Sequence, residues 1–161
     1  MKLSKPLAAI ALFASLLASA AVAETVVKVT LIDKMGSDAL SKRLGLGMGM
    51  HADMGQAKMG IAANSKSAVP GIVRFDVTNL ASVLMHEVQV ARINDESQML
   101  AYDQSRNKVD LEGLQTLGVV SEIMPNKSAS LILDLTPGKY LLFCNVAGHY
   151  MAGMWTVIVV K

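Results

Sequence analysis

Apolar and polar residues alternate along many short stretches of this chain. Between Gly71 and Thr78, Val73, Phe75 and Val77 alternate with Arg74, Asp76 and Thr78, a period of two that predicts a strand with one buried face. His86, Val88 and Val90 alternate with Glu87, Gln89 and Ala91 in the same way, which turns His86 inward at the start of its strand. Comparable stretches predict strands over Thr25 to Ile32, Met85 to Ile93, Gly118 to Ile123, Ala129 to Leu135, Lys139 to Cys144 and Met154 to Val160. Pro70-Gly71, Pro125-Asn126 and Pro137-Gly138 supply turns between them. Helix is expected only in brief connectors, over Ser37 to Leu44 and Val109 to Leu117. Strands this short and closely spaced predict an all-β sandwich or barrel, and neither an internal repeat nor a domain linker interrupts the pattern.

The first residues follow a different rule. Lys2 and Lys5 precede an apolar run from Leu7 to Leu17, and small residues follow through Ala21, Val22 and Ala23. This is the pattern of a secretory signal peptide cleaved after Ala23, with retention as an uncleaved anchor the alternative. Export is therefore expected, to the periplasm if the source is a Gram-negative bacterium. Residues 24–161 would form one domain, with no further segment able to span a membrane.

Charge changes the picture mainly by exclusion. With Lys2 and Lys5 removed, thirteen basic residues face thirteen acidic ones, and no block of like charge stands out. A nucleic-acid partner is not expected, and partner recognition would rest on apolar contact. A monomer is expected.

The candidate chemistry lies in CNVAGHYMAGM, where Cys144, His149 and Met154 form a C-x4-H-x4-M run around the only cysteine in the chain. An exported structural cysteine would normally have a partner, and Cys144 has none, so its thiol needs another explanation. The plain alternative is a buried, inert cysteine in a core strand. Thiolate, imidazole and thioether together suit copper, and two imidazoles with one thiolate and a weak axial thioether define a blue-copper site. The chain holds three histidines, so the second imidazole would come from His51 or His86. His86 is the better candidate, because His51 lies in a glycine- and methionine-rich stretch without strand periodicity.

Strand-borne His86, the Cys144 to Met154 loop and the closing strand from Trp155 to Val160 resemble the cupredoxins, the family of blue type 1 copper proteins. The spacing within the loop is similar to that of the rusticyanin, auracyanin and sulfocyanin type. The resemblance covers roughly residues 58 to 161 and leaves Met35 to Lys58 outside it. It implies a Greek-key β-sandwich with one type 1 copper, His86 and His149 as equatorial ligands, Cys144 as thiolate and Met154 as axial thioether. Met151 competes with Met154 for the axial place, with spacing in favour of Met154. Glu87 departs from the family pattern, since many small cupredoxins carry there an asparagine that ties two ligand loops together. The resemblance further implies one-electron transfer through the edge of His149. Redox protein partners would dock on an apolar patch formed by Tyr150, Met151 and Ala152 with Leu84 and Met85.

Met48, Met50, His51, Met54 and Met59 cluster within a dozen residues and have two readings. Methionines commonly fill irregular core gaps. Thioethers with an imidazole also suit cuprous copper, which would give a second, accessory Cu(I) site and a copper carrier or homeostasis protein as the alternative function. An enzyme is disfavoured. Copper oxidases and nitrite reductases need further histidine ligands, and only His51 remains after the first site is filled.

Overall fold

The computed structural model describes residues 24–33, 45–47 and 57–161. Among these residues there are eleven strands and no helix: β1 (Thr25–Asp33), β2 (Met59–Ala63), β3 (Ser67–Ala68), β4 (Gly71–Asn79), β5 (His86–Ile93), β6 (Tyr102–Asp103), β7 (Lys108–Val109), β8 (Thr116–Ile123), β9 (Ser128–Leu135), β10 (Gly138–Phe143) and β11 (Trp155–Val160). One sheet runs β2-β1-β4-β9, the other β3-β11-β10-β5-β8, and β6 and β7 form a small hairpin. Between these two sheets the chain crosses after β2, β3, β4, β8 and β9, the connectivity of a Greek-key sandwich.

Alternation along the strands builds the space between the sheets. Val27, Val29 and Leu31 from β1 and Val73, Phe75 and Val77 from β4 meet Val88, Val90, Tyr140, Leu142, Ile158 and Val160 from the facing sheet. Each large side chain so buried contributes about 1.5–3 kcal/mol relative to exposure. Cys144 and Met154 belong to this same cluster, at the ends of β10 and β11.

β10 and β11 are buried on both faces. Leu141, Phe143 and Val157 look outward from the sandwich into a second cluster with Ala91, Ile93, Tyr150 and Met151, which Leu46, Leu100 and Tyr102 help to cover. β5 serves both clusters through plain alternation, its pairing with β10 running in unbroken register from Gln89 to Ile93. Val88 and Val90 therefore point inward, while Ala91 and Ile93, on the opposite face, join the outer cluster. The Leu46 N–H donates to the Tyr150 hydroxyl at 2.8 Å, fixing residues 45–47 over this layer.

The region from Val109 to Leu117 is not a helix. β7 ends at Val109, Gly113 takes φ +76°, and β8 begins at Thr116. Val109, Leu111, Leu114 and Leu117 have helix-like spacing, but Leu111 and Leu117 are exposed and so share no buried face with Val109. A positive φ at Gly113 also breaks any right-handed turn. The other expected helix, Ser37 to Leu44, lies outside the described residues, as do residues 1–23. Among the described residues, no helix is long and apolar enough to cross a membrane.

Candidate metal centre

The loop from Cys144 to Met154 joins β10 to β11 and closes on itself through its own backbone. The Cys144 N–H donates to the Met154 carbonyl at 3.1 Å, the His149 N–H to the Val146 carbonyl at 3.0 Å, and the Met154 N–H to the His149 carbonyl at 3.1 Å. Gly148 takes φ +83° and its N–H donates to the Asn107 carbonyl at 2.7 Å. A side chain there would be strained by that φ and would crowd the Asn107 amide at 3.1 Å. The β6–β7 hairpin thus buttresses the loop from outside, and the Tyr102 ring stacks on Tyr150 with centroids 6.3 Å apart.

His86 arrives from the other direction, at the first residue of β5 and paired with Ile123 of β8. Asn79 fixes the approach. Its buried amide donates to the Leu84 carbonyl at 2.9 Å and to the Ile123 carbonyl at 2.8 Å, while its oxygen accepts the Ala81 N–H at 2.9 Å. Strand alternation carries a readable signal for this residue: Val73, Phe75 and Val77 point inward, and Asn79 is the next position in that row.

These elements bring three donor atoms together in a buried pocket. His86 Nδ1 lies 3.1 Å from His149 Nδ1, and Cys144 Sγ lies 3.4 Å from His149 Nδ1 and 3.9 Å from His86 Nδ1. A point equidistant from the three is about 2 Å from each, close to the bond length of imidazole nitrogen or thiolate sulfur to a first-row metal. Among the described residues this is the one such group of histidine, cysteine or carboxylate side chains.

Electrostatics favour neutral imidazoles here. Burial lowers the pKa of His86, and burial together with the neighbouring His86 lowers that of His149 to about 4. Both rings can therefore offer a lone pair at neutral pH. Burial pushes the Cys144 thiol up to about 11, opposed by backbone N–H donation from Glu87 and Val146. Glu87, where the family pattern has asparagine, thus contributes through its main chain: its N–H is directed at the sulfur.

The two candidate axial methionines go to different layers. Met154 is fully buried in the inter-sheet cluster beside Cys144, and Met151 packs in the outer cluster with Phe143 and Tyr150. Met59 follows the inward row of β2 and packs against the inter-sheet core. Met48, Met50, His51 and Met54 lie outside the described residues. The expected apolar patch needs revision, because Tyr150 and Met151 are buried under the outer layer. The exposed apolar side chains near the start of β5 and the end of β8 are Leu80, Val83, Met85 and Met124, and His149 itself keeps 8% of its surface.

Such a sandwich with such a donor set defines a cupredoxin, a blue copper protein, and the set His86, Cys144, His149 and Met154 fits one type 1 copper. Residues 55–161 match the model of the sulfocyanin (SoxE) domain, and the chain belongs to that family. Among solved structures, rusticyanin from Thiobacillus ferrooxidans is similar at a TM-score of 0.52 and 14% identity, covering 86% of this chain and 77% of that one. Reduced rusticyanin gives a TM-score of 0.51 at 14% identity, over 86% of this chain and 79% of that one. Auracyanin from Roseiflexus castenholzii is similar at 16% identity and a TM-score of 0.46, covering 62% of this chain and 87% of that one. No curated protein matches the sequence at a significant level.

Proposed function

We propose that this chain is an exported one-electron shuttle in which His86, His149, Cys144 and Met154 hold a single type 1 copper. The observation that carries the reading is the convergence of two neutral imidazoles and one sulfur in a buried pocket. Bound there, copper supplies a reversible one-electron change at the thiolate-imidazole centre. The protein's own part is to hold the donors still. Cys144 and Met154 are tied through the loop backbone, His86 through the strand that Asn79 anchors, and the loop itself through Asn107. Donors fixed in this way need little rearrangement when the charge at the centre changes. Only an edge of His149 reaches solvent, so electrons would pass there, to a redox protein docked over Leu80, Val83, Met85 and Met124. In this reading residues 1–23 are the removed signal and residues 24–161 a single domain.

Optical titration tests the proposal. Addition of Cu(II) to the mature protein should give an intense visible charge-transfer band that bleaches reversibly on reduction, and Cys144→Ser should abolish it. A strong band persisting in Cys144→Ser would sink the ligand assignment. Mass analysis of the exported protein should find Glu24 at its amino terminus.

A further inference from the structure

Asp33 and His86 enter the same end of the inter-sheet space from opposite sheets. On β1, Val27, Val29 and Leu31 are the buried, inward side chains, and Asp33 is the next position in that row. On β5, His86 opens the inward row that continues with Val88 and Val90. The two strands meet through Asn79, which pairs with Leu31 and whose amide holds the carbonyl of Ile123, the partner of His86.

Each of these two side chains has one atom left over. Asp33 Oδ2 and His86 Nε2 are both buried without a hydrogen-bond partner. A carboxylate oxygen can only accept, and an imidazole nitrogen can donate, so the two are chemically complementary. The two are not hydrogen-bonded to each other in this structure, but a buried polar atom left unpaired is costly, which favours a small side-chain movement that joins them. Met59, opposite Asp33 in the β1–β2 register, offers only a thioether and no donor. Asp33 also acts electrostatically on both histidines, opposing the effect of burial on each.

We propose that Asp33 is a positioning residue of the metal centre, whose carboxylate keeps the proton of His86 on Nε2 and so leaves the Nδ1 lone pair facing His149 and Cys144. Ligating histidines commonly use their outer nitrogen in this manner, with a carboxylate fixing the tautomer and strengthening the ligand. The proposal rests on the copper reading given above. Its second consequence concerns charge: a carboxylate beside the ligands favours the divalent over the monovalent ion.

Two measurements test it. In copper-loaded protein, Asp33→Asn should move the ratio of Cu(II) to Cu(I) affinity about tenfold toward Cu(I), equivalent to 59 mV for a one-electron couple, while Asp33→Glu restores the wild-type ratio. In metal-free protein, nitrogen NMR should find His86 with its proton on Nε2, and Asp33→Leu should redistribute it between the two nitrogens. An unaltered affinity ratio together with an unaltered tautomer overturns the role of Asp33. Absence of the visible band in wild-type protein would instead overturn the copper reading, and the metal-free measurement would still decide the role of Asp33.

Discussion

Asn145 grips Val109 by both of its backbone groups. The Val109 N–H donates to Asn145 Oδ1 at 2.7 Å, and Asn145 Nδ2 donates to the Val109 carbonyl at 3.1 Å. The residue next to Cys144 is thereby riveted to the hairpin that covers the ligand loop. Asn145→Leu would leave a buried N–H and a buried carbonyl unpaired, so a loss of about 2–4 kcal/mol is expected in urea denaturation of the metal-free protein. The same variant should release copper to a chelator faster than wild type. An unchanged release rate would show that the hairpin does not constrain the loop.

Copper binding should expel one proton at neutral pH. The Cys144 thiol, with its pKa near 11, is protonated in the metal-free protein, while both imidazoles are already neutral. Coordination requires the thiolate, so its proton must leave. Calorimetric titration with Cu(II) in buffers of different ionisation enthalpy should give one proton released per ion. Release of none would argue against the thiolate as a ligand.

The metal-free protein should lose stability on mild acidification. His149 titrates near 4 when folded and His86 is lowered as well, against about 6.5 for an unfolded histidine. Below pH 6.5 the unfolded chain takes up protons that the folded chain refuses. Stability is therefore fully present above about 6.5, falls as the pH drops toward 4, and levels off beneath that. For His149 alone the loss is on the order of 3 kcal/mol. Denaturation at pH 7.5 and 4.5 should show it, and His149→Gln should flatten the dependence. An equally steep loss in that variant would place the effect elsewhere.

Two methionine substitutions should separate. Met154→Leu removes a donor from the centre, which disfavours the more highly charged ion, so the reduction potential should rise while the visible band persists. Met151→Leu alters only packing in the outer cluster and should cost under about 1.5 kcal/mol with the potential unchanged. Voltammetry of the two variants checks this, and a potential shift in Met151→Leu alone would reverse the assignment.

Much of the sandwich was legible because its long strands keep one face dry. β1, β4, β5, β8, β9, β10 and β11 all fall where alternation and turn signals predicted strands. β3, β6 and β7 are two residues each, too short for any period to register, and the sequence pattern assigned no strand to β2 either. The grouping of His86 with the Cys144 to Met154 run was also readable, since an inward histidine at a strand start is a local feature. The burial of Tyr150 and Met151 was not. They lie under Leu46 and Tyr102, which are remote in sequence, and nothing in the sequence near residue 150 announces a roof. Asn145 and Gly148 were missed for the same reason, because their partners, Val109 and Asn107, sit in a hairpin some forty residues earlier.

With one cysteine, the chain can form no internal disulfide. Yet His86 and Cys144, 58 positions apart, come within 3.9 Å of each other. An ion held by both closes a loop of that length, a constraint worth about 4 kcal/mol in the chain-entropy account of a covalent cross-link. Copper would then serve this domain as a removable staple, with a chelator playing the part that a reductant plays for a disulfide. The durability of the folded domain would then follow the local supply of metal.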